Sequence, residues 1–191
     1  MLLNIASIIK CTESEGIGKR FAIWTQGCLK RCKNCCNSNM QSFVARNIID
    51  SEIIIKDIKL SKEKYDIEGI TLIGGEPILQ SKGLSCIAKY CKEIGLSVIL
   101  FSGYTLEEIK EKEKTFDGLS ELLKYIDVLI DGEYIEELYD ESRGFIGSSN
   151  QKVYFFTNFY NKEDFDKNKN YTSVDILVDN DSISVNGWPY F

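Results

Sequence analysis

Short apolar runs alternate with helix-like segments along most of this chain, and that alternation restricts the fold more than any other feature. Residues 20–27 (RFAIWTQG), 69–77 (GITLIGGEP), 96–104 (LSVILFSGY), 126–132 (IDVLIDG) and 152–158 (KVYFFTN) read as strands. The run at 96–104 is apolar almost throughout, as in a strand buried on both faces. Between the strands, residues 51–65 read as a helix with Ser51 as its N-cap. Residues 78–94 carry Leu84, Ile87, Ala88 and Cys91 at i, i+3, i+4, i+7 spacing and close on Gly95. Residues 105–125 read as helical with charge on one side, and 133–140 as a short helix. Such alternation implies parallel βα units. The opening MLLNIASIIKC reads as a further strand, NKEDFDKNKN (161–170) as a connector, and SVDILVDNDSISVNG as a hairpin turning at Asn180–Asp181. At 191 residues this is one domain: residues 1–160 form its body, and 161–191 are a connector and hairpin belonging to it.

Composition narrows the function classes. With 43% hydrophobic and 12% aromatic residues, a soluble globular protein is expected. A net charge of −6 and no long basic run argue against nucleic acid as a partner, since binding it without sequence preference needs a cationic surface. The apolar start lacks a basic n-region and a cleavage site and is too short to span a bilayer, so no membrane partner is expected. The expected location is the cytoplasm, where clustered thiols signal metal or catalysis rather than disulfides. The chain has no histidine, which removes every mechanism that needs imidazole. The charge runs 107–114 and 161–170 read as solvated surface. Cys11, Cys86 and Cys91 read as small buried thiols.

In parallel βα architectures reactive groups gather in the loops after the strands, and the unusual segments of this sequence lie there. GCLKRCKNCCN (27–37) follows the strand at 20–27 and sets Cys28, Cys32 and Cys35 at C-x₃-C-x₂-C spacing, with Cys36 next to the third. Structural zinc wants four closed ligands, usually as separated C-x₂-C pairs or with histidines, and no second pair is present. A redox dithiol would use Cys32 and Cys35 and leave Cys28 unexplained. Three thiolates can instead hold three irons of a [4Fe–4S] cube whose fourth iron is open to a ligand; clusters are normally held by four cysteines. Spacing alone favours the cluster and leaves zinc and dithiol as alternatives. Gly74, Gly75 and Glu76, ahead of Pro77, are either an ordinary turn or a backbone that a ligand can approach, with a carboxylate beside it. Ser102 follows the next strand, and Asp131 ends the one after.

Together these residues resemble the radical S-adenosylmethionine superfamily, which pairs a C-x₃-C-x₂-C loop after the first barrel strand with a GGE motif after the second. The resemblance implies an α/β fold, an incomplete (β/α) barrel of about five or six parallel strands. It implies a [4Fe–4S] cluster on Cys28, Cys32 and Cys35, whose open iron chelates S-adenosylmethionine, and contact of Gly74, Gly75 and Glu76 with the methionine amino group. A reduced cluster then splits the sulfonium bond to a 5′-deoxyadenosyl radical that abstracts hydrogen. Ser102 and Asp131 are further candidates for the cofactor pocket, Asp131 to orient the methionine end, its alternative being a turn cap.

EGIGKRFAIWTQGCLKRCKNCCN is similar to the opening of the glycyl-radical activase subgroup. FSGYT, IDVLIDGEYIEEL, GSSNQKV and the closing hairpin with VNGWP resemble the activating proteins of anaerobic ribonucleotide reductase. That resemblance implies a glycyl radical enzyme as partner, anaerobic ribonucleotide reductase first, together with a low-potential electron donor. It makes Arg143, Ser148, Ser149 and Asn150 a partner-facing loop. The chain departs from the pattern at four places. Asn34 stands where an aromatic near the adenine is usual, and Cys36 where a ring-bearing residue is usual. Ile146 and Lys152 stand where arginines flank GSSNQ, and Arg143 lies three residues early. Asn34 and Cys36 therefore remain cofactor-side candidates, with adenine packing expected from elsewhere. The rival readings are a radical enzyme acting on a peptide or small metabolite, and a non-catalytic zinc or iron–sulfur module.

Overall fold

The computed structural model describes residues 1–140, 142–167, 174–179 and 182–187. Its centre is four parallel strands, β2 (Arg20–Thr25), β4 (Gly69–Gly74), β5 (Ser97–Phe101) and β6 (Val128–Asp131). On one side β1 (Leu2–Thr12) joins β2 antiparallel, and β3 (Asn47–Asp50) joins β1 antiparallel. On the other side β7 (Lys152–Phe155) pairs antiparallel with β6. The seven strands run β3-β1-β2-β4-β5-β6-β7 and do not close.

The expectation of five or six parallel strands is thus corrected to four, flanked by antiparallel edges, in an open mixed sheet. The strand read at 152–158 is present as Lys152–Phe155, but its direction is the specific misreading, since it runs antiparallel to β6. A parallel return needs a crossover packed on the sheet face. The chain between β6 and β7 instead makes a short 3₁₀ turn, Glu136–Leu138, and a loop at the rim, and then returns beside β6.

Side chains alternate across the sheet with the period of two that strands impose. Phe21, Ile23, Ile70, Leu72, Val98, Leu100 and Leu129 face one side. They pack there with Ile54 and Ile58 of α1 (Ser51–Tyr65), Leu84 and Ile87 of α2 (Ser81–Glu93), and Leu119 and Leu122 of α4 (Leu119–Leu123). Ile99, Val128 and Ile130 face the other side, against Ile146, Tyr160 and Phe165 of α5 (Lys162–Lys167).

Local boundaries differ from the sequence reading in three places. Asp50, not Ser51, caps α1: it keeps an extended backbone and its carboxylate accepts the Glu52 N–H at 2.9 Å. The segment 105–125 is broken into α3 (Leu106–Lys112) and α4, with Gly118 at φ +80° between them. Residues 77–80 form a 3₁₀ turn before α2, capped by Glu76. Gly95 does follow the end of α2, at φ +78°.

At the foot of the sheet Arg20 is completely buried. Its guanidinium donates to Thr71 Oγ1 (2.7 Å), Ile17 O (3.0 Å), Ser97 Oγ and Tyr160 OH (both 3.1 Å), and to the Ile70 carbonyl. Tyr160 in turn donates to Glu68. A buried guanidinium is tolerable only when its fork is met this fully.

The C-terminal strands β8 (Val174–Asp179) and β9 (Ser182–Gly187) form a separate antiparallel hairpin. Asp175 accepts hydrogen bonds from Thr12 and Ser14, and Asn186 donates to Ser14 Oγ at 3.0 Å, so the hairpin sits against the β1–β2 turn. The turn residues Asn180–Asp181 and the Trp188-Pro189 pair lie outside the described residues. Among the described residues no helix is long and apolar enough to cross a membrane.

Candidate functional site

The cysteine loop leaves β2 through Gly27, whose φ of +99° suits glycine. Both its ends are pinned: Gly27 N–H donates to Met40 O (2.8 Å) and Cys28 N–H to Gln41 O (3.0 Å). Within the span, the Gln41 amide donates to Cys32 O at 3.3 Å and Ser38 N–H to Cys35 O at 3.0 Å. Arg31 and Asn34 adopt left-handed backbone, φ 52° and 53°. Asparagine is among the residues that do so at least cost.

Cys28 is buried, Cys32 and Cys35 are half-buried, Cys36 is exposed, and none of the four is in a disulfide. Burial raises the Cys28 thiol, opposed by the N–H groups of Arg31 and Lys30 and reinforced by Glu76 and Cys35. Burial pushes Cys32 up to about 11, opposed by the Tyr134 N–H and reinforced by Cys35, Glu133 and Cys28. A hydrogen bond with Cys36, then burial, raises Cys35, while the Asn37 N–H and the Gln41 amide favour its thiolate. The three thiols therefore feel one another as negative charges, and each has a backbone N–H able to stabilise the thiolate.

Among the described residues no three His, Cys, Asp or Glu side chains are placed to hold a single metal ion. The thiolates of an iron–sulfur cube bind three different irons and need not converge on one point. Soft sulfur donors on one loop, with N–H groups aimed at them, fit such a cluster.

The Gly74-Gly75-Glu76 turn lies directly against this loop. Gly75 N–H donates to Thr25 O (2.8 Å) and Glu76 N–H to Gly27 O (2.9 Å). A Cβ on Gly75 would collide with the Gly27 carbonyl, and one on Gly74, at φ +109°, would sit 2.5 Å from Thr25 N. Glycine is required here by backbone approaching backbone.

Glu76 itself is fully buried. Its carboxylate accepts from Ser102 Oγ (2.9 Å), Gly103 N–H (2.9 Å) and Ile78 N–H (3.3 Å). Burial pushes its carboxyl up to about 7, with those three donors and Lys30 opposing. Lys30 is held by Glu108, 2.9 Å to each oxygen, and lies 4.5 Å over the Tyr104 ring.

Asp131, also buried, accepts the Leu106 N–H at the start of α3 (2.6 Å) and the Lys152 N–H at the start of β7 (3.1 Å). Both its oxygens serve the backbone, the turn-cap alternative of the sequence reading. The cysteine loop, the glycine turn, Ser102 and Asp131 thus stand at the C-terminal ends of four neighbouring parallel strands.

The loop 143–151 lies at the same end, and most of it is internally engaged. Arg143 donates to Asp140 Oδ2 (2.8 Å), Gln151 O (3.0 Å) and Ser148 O (2.7 Å). Ser148 is buried, its hydroxyl accepting the Ile135 N–H, and Asn150 donates to Glu133 O at 2.9 Å. Of the four residues expected to face a partner, Ser149 is the exposed one; the side chains of Arg143, Ser148 and Asn150 frame the loop.

The sequence reading gave no role to the segment 133–138, which the structure brings onto the cysteine loop. Cys32 Sγ lies 3.9 Å from Glu133 Oε2, and Asn34 Nδ2 donates to Glu136 Oε1 at 2.6 Å. Lys33 Nζ is 3.4 Å from Glu136 Oε2. The available signal was topological: this is the loop that follows the fourth parallel strand.

Comparison with known proteins bears directly on this rim. A family model described as "4Fe-4S single cluster domain" matches residues 14–154, which include every thiol of the loop and the glycine turn. The anaerobic ribonucleoside-triphosphate reductase-activating protein of Pasteurella multocida is 33% identical over 154 residues, covering 76% of this chain and 92% of that protein. The protein of the same name from Vibrio cholerae is 31% identical over 151 residues, 75% and 92% of the two chains. That of Enterobacteria phage T4 is 30% identical over 167 residues, 85% of this chain and all of the phage protein.

Proposed function

The chain belongs to the family of anaerobic ribonucleoside-triphosphate reductase-activating proteins and carries that family's 4Fe-4S single cluster domain; from this premise we propose that it generates a glycyl radical on an anaerobic ribonucleotide reductase. When bound, a [4Fe–4S] cluster and S-adenosylmethionine supply the electron transfer and the hydrogen-abstracting group. A low-potential donor protein in a reducing cytoplasm provides the electron.

The chain's own residues bind and position. Cys28, Cys32 and Cys35 would hold the cluster, and Asn34 and Cys36, beside Cys35 in the same loop, are the candidates on the cofactor side. Gly74 and Gly75 let the turn pack backbone to backbone against the cysteine loop, at the rim where the methionine end would bind. Glu76 and Ser102 fix that backbone from behind through their hydrogen bond. Asp131 anchors the starts of α3 and β7 and so sets the width of the mouth. Ser149, on the exposed crest of the 143–151 loop, meets the partner.

The observation that carries this reading is the packing of a three-thiol loop against a Gly-Gly turn at one rim of a parallel sheet. The test is anaerobic reconstitution followed by reduction with S-adenosylmethionine and the cognate reductase. The expected products are 5′-deoxyadenosine and an electron paramagnetic resonance doublet from a glycine radical on the reductase. Cofactor cleavage without that doublet would transfer the assignment to a peptide or small-metabolite substrate. No cleavage by an iron-loaded protein would leave a binding module.

A further inference from the structure

Cys32 and Cys35 are separated by Lys33 and Asn34, and Asn34 makes the turn with a left-handed backbone. The side chain of Asn34 reaches out of the loop. It is gripped from across the mouth: Asn34 Nδ2 donates to Glu136 Oε1 at 2.6 Å, and Lys33 Nζ faces the other oxygen at 3.4 Å. One carboxylate thus holds both residues of the spacer. The Asn34 hydrogen bond keeps the Glu136 carboxyl below its ordinary range, burial opposing and Lys33 assisting, so the carboxylate stays ionised.

Glu136 begins the 3₁₀ turn Glu136–Leu138, and that turn is itself held. Ser149 N–H donates to Leu138 O (2.7 Å), Ile135 N–H to Ser148 Oγ (3.2 Å) and the Asn150 amide to Glu133 O (2.9 Å). The grip on the cysteine loop therefore has a fixed base, the loop 143–151.

We propose that Glu136 is a positioning residue for the cluster, holding the Lys33–Asn34 turn so that Cys32 and Cys35 are presented at a set separation. The proposal rests on the cluster reading above. It gives a function to the departure at position 34: with no aromatic before the third cysteine, an amide takes the place and is tied to the opposite rim.

The test uses the full chain, reconstituted anaerobically, and reads the rate of iron loss to a chelator. Glu136→Ala should load iron and lose it about fivefold faster, the scale of one lost hydrogen bond. Glu136→Gln, whose amide oxygen still accepts from Asn34, should stay within about twofold of the parent. Asn34→Gly keeps the left-handed backbone and removes the shorter of the two contacts, so adding Glu136→Ala to it should speed iron loss by much less than it does in the parent. Thermal midpoints of the metal-free forms should coincide.

An unchanged rate in Glu136→Ala, or additive effects in the double variant, overturns the proposal. An iron shortfall in Glu136→Ala supports it if Glu136→Gln restores loading and overturns it if Glu136→Gln shares the shortfall. Failure of the parent protein to load iron is a different result, and removes the cluster reading itself.

Discussion

The hydroxyl of Ser102 donates to Oε1 of Glu76 at 2.9 Å, joining the ends of two adjacent parallel strands through a carboxylate with no exposed surface. Removing that donor leaves Oε1 with only the 3.3 Å contact to Ile78 N–H. Ser102→Ala should therefore destabilise the protein by about 1–3 kcal/mol, the cost of an under-satisfied buried acceptor. Urea unfolding measures it, and a value near zero would mean the Glu76 site is wetter than its burial indicates.

The same carboxyl sets a pH dependence. Burial raises Glu76 from an ordinary 4.5 to about 7, so the folded protein holds this proton longer than the unfolded chain does. Its contribution is complete below pH 4.5 and is lost as pH rises to about 7. The loss is about 3 kcal/mol. Glu15, pushed up to about 8 by burial, adds a slope of the same sign. The clean readout is the difference between the parent and Glu76→Gln, unfolded at about pH 5 and about pH 8. The substitution should remove most of that loss.

Single replacement of Cys28, Cys32 or Cys35 by alanine should abolish a cluster that otherwise analyses to about four iron and four sulfide per chain. Cys36→Ala should retain it. Because a hydrogen bond with Cys36 is the largest influence raising Cys35, that variant should also ease formation of the Cys35 thiolate. Iron and sulfide analysis decides the first claim, and the pH dependence of alkylation in the metal-free protein decides the second.

Gly75→Ala should separate the glycine turn from the cysteine loop, since its Cβ meets the Gly27 backbone rather than a movable side chain. Cofactor affinity and iron content should fall together. Gly95→Ala is the control: its φ is +78°, yet nothing lies within 4 Å of the added methyl. It should cost about 1 kcal/mol of stability through backbone strain and leave iron content unchanged.

What could be read from sequence, and what could not, follows from how far apart the interacting residues lie. The spacing of Cys28, Cys32 and Cys35 and the apolar runs of β2, β4, β5 and β6 are local, and they gave the parallel centre and the thiol loop. The stripe Leu84, Ile87, Ala88 and Cys91 is buried as its period implies. The direction of β7 was missed because it depends on the path of the chain between β6 and β7, where the sequence offered only a short helix at 133–140 and the structure has a 3₁₀ turn at the rim. Asp50 displaced Ser51 as the cap because β3 already holds Asp50 extended. The ties of Cys32 to Glu133 and Asn34 to Glu136 span 101 and 102 residues, beyond any motif.

Arg20 carries a consequence for how the chain is made. Its guanidinium lies at the start of the first parallel strand, but one of its acceptors, Tyr160, comes 140 residues later. A ribosome releases the two in that order. Until Tyr160 emerges the foot of the nascent sheet encloses a positive charge with an unfilled partner, and water must keep access to it. Locking of the sheet's foot is thereby deferred until residue 160 has been made. The thiol loop, which lies early in the chain and at the opposite end of the sheet, leaves the ribosome before its scaffold has locked.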